Sequence, residues 1–357
     1  MKTPLQTFWF NANDNTYYVL DQRALPHEVI SMPLKSISDV IYAIEEMVVR
    51  GAPLIGITAA VGMLLIMQKT SLENAPAVIE RTYSRLLATR PTAINLKWAL
   101  DEMRSLLLEN PSIGTAKKTL MEIIQLETDA FRQIASHGME LIRQKQLHLA
   151  QPVQILTHCN AGWLACIKYG TALAPIYRAH EEGIPVHVWI DETRPLNQGA
   201  RLTAWELKER GIPHTLIVDN AGGHLMQKGL IDFVFVGADR VSKNGDVANK
   251  IGTYLKALAA VDNQVPFYVV FPSSTFDWEI ENGMTEIPIE ERNAYEVTHV
   301  CGWDGKKTCV RIAPEDTPVA NPAFDITPAK LITGLLTEKG VFPATSNGIQ
   351  KMYPEKF

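Results

Sequence analysis

The feature that most constrains the fold is a series of five short, almost continuously apolar runs in the second half of the chain. The runs are rich in β-branched and aromatic residues, and helical patterns separate VQILTHC, VHVWIDE, HTLIVDN, DFVFVGADRV and PFYVVFPSS. Strands buried on both faces have this composition, and strands separated by helices pair in parallel through right-handed crossovers. The runs therefore predict an α/β fold with an open, mostly parallel sheet.

The residues before this series have helical periodicity instead. Apolar positions three and four apart mark residues 36–67, with Ser36 or Ser38 as the N-cap and an interruption at 51–53, and an amphipathic pattern covers 114–144. The opening FWFNANDNTYYVL is typical of a short hairpin. Because 357 residues suffice for two domains, we predict a mainly helical domain over 1–145, with that hairpin and a long bridging helix, and a sheet domain over 146–357.

Composition and missing motifs exclude several classes of protein. The net charge is −5 and no basic run could follow a phosphate backbone, so we expect no nucleic-acid partner. The longest apolar stretch, residues 54–67, is shorter than the ~18 residues needed to span a bilayer, and the N-terminus does not resemble a signal peptide. We therefore expect a cytoplasmic protein without a membrane partner. The chain also lacks the glycine-rich nucleotide motifs and the G-x-S-x-G and H-E-x-x-H patterns.

The four cysteines do not form a metal-binding pattern. No C-x-x-C pair occurs among them, and no histidine lies at ligand spacing from Cys159, Cys166, Cys301 or Cys309. We therefore predict no metal site. In a cytoplasmic protein each is expected to be a reduced, mostly buried thiol. The segment GWDGKKT, between the last two cysteines, is typical of a turn between two strands.

Cys159 has a context that favours a chemical role. In an open α/β sheet, ligands bind beyond the carboxyl ends of the strands, and Cys159 follows one predicted strand directly. If a helix began there, its positive end would favour the thiolate. The alternative is a small buried residue in a tight turn. His158 is adjacent, but strand alternation turns neighbouring side chains to opposite faces, so we do not include it in the site.

Asp239 ends another predicted strand, at the same edge of the sheet. An apolar crevice would raise the pKa of this carboxyl group and suit it to general acid–base catalysis, whereas a helix N-cap or an ion pair with Arg240 is the structural alternative. A turn and then a helix opened by residues 249–252 are predicted to follow. There Lys250 would suit a phosphate or would simply be solvated.

Two arginines of the helical half, Arg50 and Arg90, fit the same site or the protein surface. Arg50 precedes Gly51, which permits close approach of the backbone to a ligand. The stretch DETRPLNQGARLTAWEL, which contains Gln198, has a density of polar residues that is typical of a ligand site or a domain interface.

Seven of these segments, in order, resemble the methylthioribose-1-phosphate isomerases. They are RGAPLIG, RPTAINL, THCNAG, DETRPLNQGARLTAWEL, GADRVSKNGDVANKIGTY, IPIEER and NPAFDITP. The resemblance covers nearly the whole chain, as far as a predicted C-terminal helix, PAKLITGLLTEKGV. It implies a homodimer in which a helical N-terminal domain precedes a Rossmann-like C-terminal domain.

The resemblance also implies an activity. The family converts the aldose 5-methylthioribose 1-phosphate to the ketose 5-methylthioribulose 1-phosphate in methionine salvage, without a metal or nucleotide cofactor. Its catalytic residues correspond to Cys159 and Asp239. Its contacts with the sugar phosphate correspond to Arg50, Gly51, Ala52, Arg90, Gln198, Asn249 and Lys250. The hydrogen moves from C2 to C1 either as a proton through an enediol-type intermediate or as a direct hydride shift.

Three other functions compete with this one. Ribose-1,5-bisphosphate isomerases and the regulatory subunits of a translation initiation exchange factor belong to the same superfamily, although a regulatory subunit would not need the Cys159 and Asp239 pair. An isomerase of 5-deoxyribose 1-phosphate is the third. We include it because Trp163 and Trp278 could narrow the space for the substituent at C5 of the sugar.

Overall fold

The N-terminal part of the fold is a small antiparallel sheet. The computed structural model describes residues 6–357, so the first five residues of the predicted N-terminal domain lie outside the described residues. The predicted hairpin is confirmed and a third strand extends it, in the order β1 (Phe8–Asn11), β2 (Thr16–Leu20) and β3 (Ser31–Leu34).

Five helices follow this sheet, as the periodicity predicted. They are α1 (Ile37–Glu45), α2 (Ala52–Met67), α3 (Ala75–Leu87), α4 (Ile94–Glu109) and α5 (Ile113–Gln146). Ser36 caps α1 by accepting a hydrogen bond from the Asp39 amide. Every residue of α2 except Ile66 is buried, and Gly56 lets this helix lie against α4, because a Cβ there would be 2.5 Å from the Asn95 carbonyl oxygen. No helix between residues 6 and 357 is long and apolar enough to cross a membrane.

Strands and helices alternate after α5. In chain order the elements are β4 (Val153–Thr157), α6 (Ala174–Glu181), β5 (Val186–Asp191), α7 (Ala204–Glu209), β6 (His214–Ile217), α8 (Ala221–Gln227), β7 (Phe233–Val236), β8 (Arg240–Ser242), β9 (Val247–Lys250), α9 (Thr253–Asp262), β10 (Phe267–Val270), β11 (Phe276–Asp277), α10 (Gly283–Glu286), α11 (Tyr295–Thr298), β12 (His299–Trp303), β13 (Lys307–Arg311), β14 (Phe324–Thr327), β15 (Gly334–Thr337), β16 (Gly340–Phe342) and α12 (Ser346–Met352).

The central sheet has seven strands in the order β16-β15-β10-β7-β4-β5-β6. The five predicted strands are β4, β5, β6, β7 and β10, and all of them pair in parallel. The helix predicted over 328–341 is wrong. Residues 334–337 form β15 instead, parallel to β10 and buried at every position, and β16 returns antiparallel to it. A short apolar run without a polar face fits an interior strand as well as a helix.

A second, four-stranded sheet corrects the prediction for residues 249–252. Asn249 and Lys250 end β9, which pairs antiparallel with both β8 and β14, and α9 begins only at Thr253. Gly252, with a φ of 103°, makes the left-handed turn between strand and helix. The direction of the Lys250 side chain is therefore set by the pairing of β9 with β14, and not by a position at the N-terminus of a helix.

The two C-terminal cysteines also differ from the prediction. Cys301 on β12 lies opposite Cys309 on β13, with 4.0 Å between their Cα atoms, and the two form a disulfide. Cys301 is exposed and Cys309 is half-buried, so neither is a buried thiol. The predicted turn between two strands is confirmed, and the hairpin register is what brings the cysteines together.

Glu127 of α5 joins the helical half to the end of β10. Its side chain is buried and accepts a hydrogen bond from the Ser274 hydroxyl at 2.5 Å, while Asn95 of α4 donates to the same hydroxyl at 2.8 Å. The second carboxylate oxygen, Oε2, has no hydrogen-bond partner in the described part of the chain. Burial raises the pKa of Glu127 from 4.5 to about 7.

This pKa predicts a pH-dependent stability. The folded protein holds the Glu127 proton up to about pH 7 and the unfolded chain releases it near 4.5, so this carboxyl group makes the free energy of unfolding fall as pH rises between those values. Glu127→Gln, which cannot ionise, should be more stable than the wild type at pH 8 by up to about 3 kcal/mol.

Urea unfolding at pH 5 and pH 8 measures this effect. Glu122→Gln, an exposed position on the same helix, is the control and should change neither value by more than about 0.5 kcal/mol. Equal destabilisation by Glu127→Gln at both pH values would contradict the assignment.

Candidate active site

One pocket beyond the carboxyl ends of the parallel strands collects every residue that the sequence predicted for the site. Its lining includes Arg50, Gly51, Ala52, Arg90, Cys159, Gln198, Asp239, Asn249 and Lys250. These residues come from the start of α2, the loop before α4, the segment between β5 and α7, and the ends of β4, β7 and β9. The sheet therefore gathers side chains that are far apart in sequence, as ligand sites in open α/β sheets do.

Cys159 follows β4 in a strained turn, not at the start of a helix. Its φ is 62°, a left-handed conformation that is uncommon for a residue with a side chain. Two threonines hold it there: the Cys159 amide donates to the Thr193 hydroxyl at 2.8 Å, and the Thr203 hydroxyl donates to the Cys159 carbonyl at 2.6 Å. The predicted helix is wrong, since one 3₁₀ turn at Trp163–Ala165 precedes α6.

The Cys159 sulfur therefore receives no help from a helix dipole. Burial raises the pKa of its thiol, and the positive charges of Arg50 and Lys250 oppose that rise. The thiol donates a hydrogen bond to Gln198 Oε1 at 3.2 Å. Burial and this hydrogen bond both favour the protonated thiol at rest.

The Asp239 carboxyl group lies in the pocket after β7. Burial raises its pKa, and the charges of Lys250, Arg50 and Arg90 oppose that rise. Neither structural alternative holds, because Asp239 precedes a strand rather than a helix, and Arg240 pairs with Asp277 at 3.0 Å instead. The raised pKa is what a general acid near neutral pH requires.

Arg90 presents unpaired donors to the pocket. Its side chain is 11% exposed, and its Nε lies 3.5 Å from a Glu290 carboxylate oxygen without a hydrogen bond. The Nε and Nη1 atoms have no hydrogen-bond partner among residues 6–357, although Glu290 opposes the charge. Arg240, which the sequence analysis did not assign to the site, orients this loop by donating to the carbonyls of Pro91 at 2.6 Å and Thr92 at 3.2 Å. A buried guanidinium with unpaired N–H groups is suited to an anion.

Arg50 is already engaged on one side. Its guanidinium donates to both the side-chain and the backbone oxygens of Asn160, the latter at 2.6 Å. Gly51 follows with a φ of 91°, and a Cβ there would lie 2.5 Å from the Ala165 Cβ, so only glycine permits this approach. Arg50 is therefore fixed against the loop that carries Cys159.

Glu206 of α7 binds the loop that carries Cys159. Glu206 was not among the residues predicted for the site. Its buried carboxylate accepts hydrogen bonds from Asn160 Nδ2 at 3.0 Å, from the amides of Trp163 at 3.0 Å and Leu164 at 2.9 Å, and from the Tyr177 hydroxyl. Gly162 is required beside it, because a Cβ there would meet a Glu206 oxygen at 1.8 Å. The signal in the sequence is a lone acid in the apolar stretch LTAWEL.

The two tryptophans do not narrow the pocket. Trp163 is 1% exposed and packs against Trp205, with ring centroids 5.6 Å apart, in the core behind the site. Trp278 stacks on Phe276 at 4.6 Å and contacts Tyr353. Neither lines the pocket, so the predicted restriction at C5 of a sugar is wrong.

The far wall of the pocket carries further cations. Burial lowers the pKa of Lys250, whose ammonium lies 4.5 Å from the centre of the Phe324 ring. Asn249 is turned toward α9 and donates to the Thr253 hydroxyl at 3.0 Å. Arg292, which the sequence analysis did not assign, also lines the pocket, but its guanidinium is bonded to Glu290 and Glu296.

One cluster of described residues has metal-ligand chemistry. Donor atoms of His158, Asp191 and Asp219 lie within 4.8 Å of one another. The Lys256 ammonium, however, contacts Asp191 at 2.8 Å, and both Asp219 oxygens accept backbone N–H groups at 2.7 Å. A cation already occupies this position, so the cluster does not fit a metal ion.

Comparison with known proteins identifies the family. A family model described as the initiation factor 2 subunit family matches residues 48–344. The chain belongs to the initiation factor 2 subunit family.

Within this family, relatives match over nearly the full length. Methylthioribose-1-phosphate isomerases from Brucella anthropi and Rhizobium meliloti are each 54% identical over 98% of this chain and 97% of their own. The crystal structure of 5-methylthioribose 1-phosphate isomerase from Pyrococcus horikoshii has a TM-score of 0.83 at 38% identity and covers 99% of this chain and 97% of that one. The resemblance found in the sequence motifs is confirmed.

A relative with a different description has nearly the same fold. The crystal structure described as translation initiation factor eIF-2B, subunit delta, from A. fulgidus has a TM-score of 0.79 at 34% identity. It covers 98% of this chain and 99% of that chain. Membership of the initiation factor 2 subunit family therefore fixes the fold, while the function depends on the residues of the pocket.

The Glu206 carboxylate predicts a strong dependence of stability on its charge. Both of its oxygens accept donors, so Glu206→Gln would turn an amide N–H₂ group toward two other donors. We expect the free energy of unfolding to fall by about 3 kcal/mol, as measured in urea. Glu209→Gln, at an exposed position on the same helix, is the control and should have little effect. Equal stability of the two variants would contradict this role.

Proposed function

We propose that the protein is an aldose–ketose isomerase that converts 5-methylthioribose 1-phosphate to 5-methylthioribulose 1-phosphate. The observation that carries the proposal is one pocket in which the Cys159 thiol, the Asp239 carboxyl group and the unpaired donors of Arg90 meet. Relatives 54% identical to the chain are named for this activity. We propose that the remaining predicted residues bind the sugar phosphate.

The cations of the pocket support a substrate with a single phosphate. Arg50 is bonded to Asn160 and Arg292 to two glutamates. Arg90 has unpaired N–H groups, and we assign the phosphate to Arg90 and Lys250. A second phosphate, as in ribose 1,5-bisphosphate, would require another cationic site. Because neither tryptophan lines the pocket, nothing in the described residues favours the 5-deoxy sugar over the methylthio sugar.

The acid step follows from Asp239. A phosphate on C1 locks the sugar as a ring, so the bond between C1 and the ring oxygen must break before isomerisation. Burial raises the pKa of Asp239, so its carboxyl group can hold a proton and donate it to the ring oxygen. Bound by Arg90 and Lys250, the phosphate would hold the ring in one orientation.

The state of Cys159 favours a hydride shift. A protonated thiol that donates to Gln198 is a poor base for the C2 proton. We therefore propose that hydride moves from C2 to the electron-poor C1. The C2 hydroxyl then loses its proton to the Asp239 carboxylate as the ketone forms, which restores the acid. The polarisable sulfur of Cys159 would lie beside the reacting carbons.

The proposal includes the setting in which the enzyme works. We propose a cytoplasmic homodimer without a metal or nucleotide cofactor, with domains divided at residues 145 and 146. The division is supported by the end of α5 at Gln146, before β4 begins. A partner subunit is supported by exposed apolar side chains on α9, at Leu255, Leu258 and Val261.

Turnover by purified protein tests the function. Without added metal or nucleotide, wild type should convert 5-methylthioribose 1-phosphate to the ketose, followed by NMR. Cys159→Ser and Asp239→Asn should remain folded and lower kcat/KM by about 10³-fold. Asp129→Asn, at an exposed position on α5, is the control and should retain most of the activity. Binding of the sugar phosphate without conversion would instead support a regulatory subunit.

The phosphate assignment has its own test. Arg90→Met removes the unpaired donors and should lower kcat/KM by about 100-fold, mostly through KM. Arg104→Met, on α4 and paired with Glu80 at the surface, is the matched control and should leave both constants unchanged. An unchanged KM for Arg90→Met would mean that the phosphate binds elsewhere.

A further inference from the structure

A buried histidine is adjacent to Cys159 in the chain and, like Cys159, lines the pocket. His158 is 1% exposed, and its ring contacts two other elements: Nδ1 is 3.1 Å from an Asp191 oxygen at the end of β5, and Nε2 is 2.9 Å from the Ile251 carbonyl oxygen. Because a carbonyl oxygen can only accept, Nε2 carries a proton and donates it. Both nitrogens are occupied, so the ring is not available as a base for substrate.

The contact of His158 with Ile251 connects the neighbours of two site residues. His158 is adjacent to Cys159 in the chain, and Ile251 is adjacent to Lys250. The hydrogen bond from the ring to Ile251 therefore joins the end of β4 to the end of β9. The loop fits closely around the ring, since a Cβ on Gly252 would lie 3.1 Å from His158 Cε1.

The groups around the ring hold it in one orientation. Asp191 is fully buried and also binds the Lys256 ammonium of α9 at 2.8 Å. Lys256 in turn contacts the Asp219 carbonyl oxygen at 3.2 Å. Asp191 contacts both the imidazole and Lys256, so it links the ring to α9; within the described residues, these groups and Lys250 are the charged groups that face His158.

We propose that His158 is a positioning residue that holds the Lys250 ammonium at a fixed place relative to the Cys159 thiol. The inference rests on the proposed function, in which Lys250 binds the phosphate and Cys159 lies beside the reacting carbons. In this arrangement Asp191 and Lys256 orient the ring, and the ring orients the loop that carries Lys250. The distance between phosphate and thiol then depends on the hydrogen bond between His158 and Ile251.

The reactivity of the thiol reports on this arrangement. The groups that act on Cys159 are Arg50, Lys250 and Asp239, and the positive charge of Lys250 is one that favours the thiolate. If Lys250 moves away, alkylation of Cys159 by iodoacetamide should require a higher pH. The reaction needs no substrate, so its outcome is independent of whether the protein turns over a sugar phosphate.

Three substitutions of His158 separate positioning from packing. The amide nitrogen of His158→Gln can replace Nε2 and donate to Ile251, while the shorter His158→Asn can replace only the contact with Asp191. We expect His158→Ala and His158→Asn to slow the alkylation of Cys159 about tenfold at pH 7.5 and to raise the midpoint of its pH profile by about one unit, with His158→Gln close to wild type. Because no lysine or arginine lies between Cys159 and Cys166, one tryptic peptide carries both, and fragment ions that break between them assign the alkylated cysteine.

A double-mutant cycle with Lys250→Met completes the test. In that background His158→Ala should slow the alkylation no further, because the charge it positions is gone. An equal slowing with and without Lys250, or rescue by Asn as complete as rescue by Gln, would overturn the proposal. If His158→Ala does not fold, the comparison of the Gln and Asn variants decides. Loss of turnover in wild type with these alkylation results intact would refute the proposed function alone.

Discussion

The buried carboxylate of Glu206 is the interaction on which the pocket depends. It accepts hydrogen bonds from the loop after β4 and from α6. One of its donors, Asn160, in turn accepts hydrogen bonds from Arg50 at the start of α2. This hydrogen-bonded chain therefore links the sheet to the helical half, in addition to the contact between Glu127 and Ser274. A buried carboxylate is tolerated there only because so many donors surround it, and the glycine at 162 is what leaves room for it.

Burial and charge act against each other on the reacting groups. Burial raises the pKa of Asp239 and of Cys159, while Arg50 and Lys250 oppose both rises. A raised pKa on the acid and on the thiol suits the opening of a sugar ring and a subsequent hydride shift. Arg50 and Lys250 also line the pocket to which we assign the phosphate. A bound phosphate would offset part of their positive charge and so raise the pKa of both Asp239 and Cys159.

Five of the seven central strands could be predicted from sequence, because continuous β-branched runs identify buried parallel strands. The position of Cys159 and Asp239 at the pocket followed from the carboxyl ends of those strands, whereas the full set of predicted site residues came from the family resemblance. Features that depend on contacts between distant segments could not be predicted. The sequence of residues 334–337 fits a helix as well as a strand, and its pairing with β10 decides between them. The disulfide between Cys301 and Cys309 depends on the register of the hairpin that brings them opposite each other. Strand alternation predicted that His158 faces away from Cys159, but β4 ends at Thr157, both residues line the same pocket, and the ring of His158 reaches Ile251. Glu206 likewise acts through residues some forty positions away.

The central claim is that this pocket moves a hydrogen from C2 to C1 of a sugar phosphate. The most direct measurement uses 5-methylthioribose 1-phosphate with deuterium at C2 and follows the product by NMR in ordinary water. We predict 5-methylthioribulose 1-phosphate with the deuterium retained at C1. Ketose with the label replaced by solvent hydrogen would contradict the hydride shift and make Cys159 a base, whereas the absence of any ketose would contradict the proposed function itself.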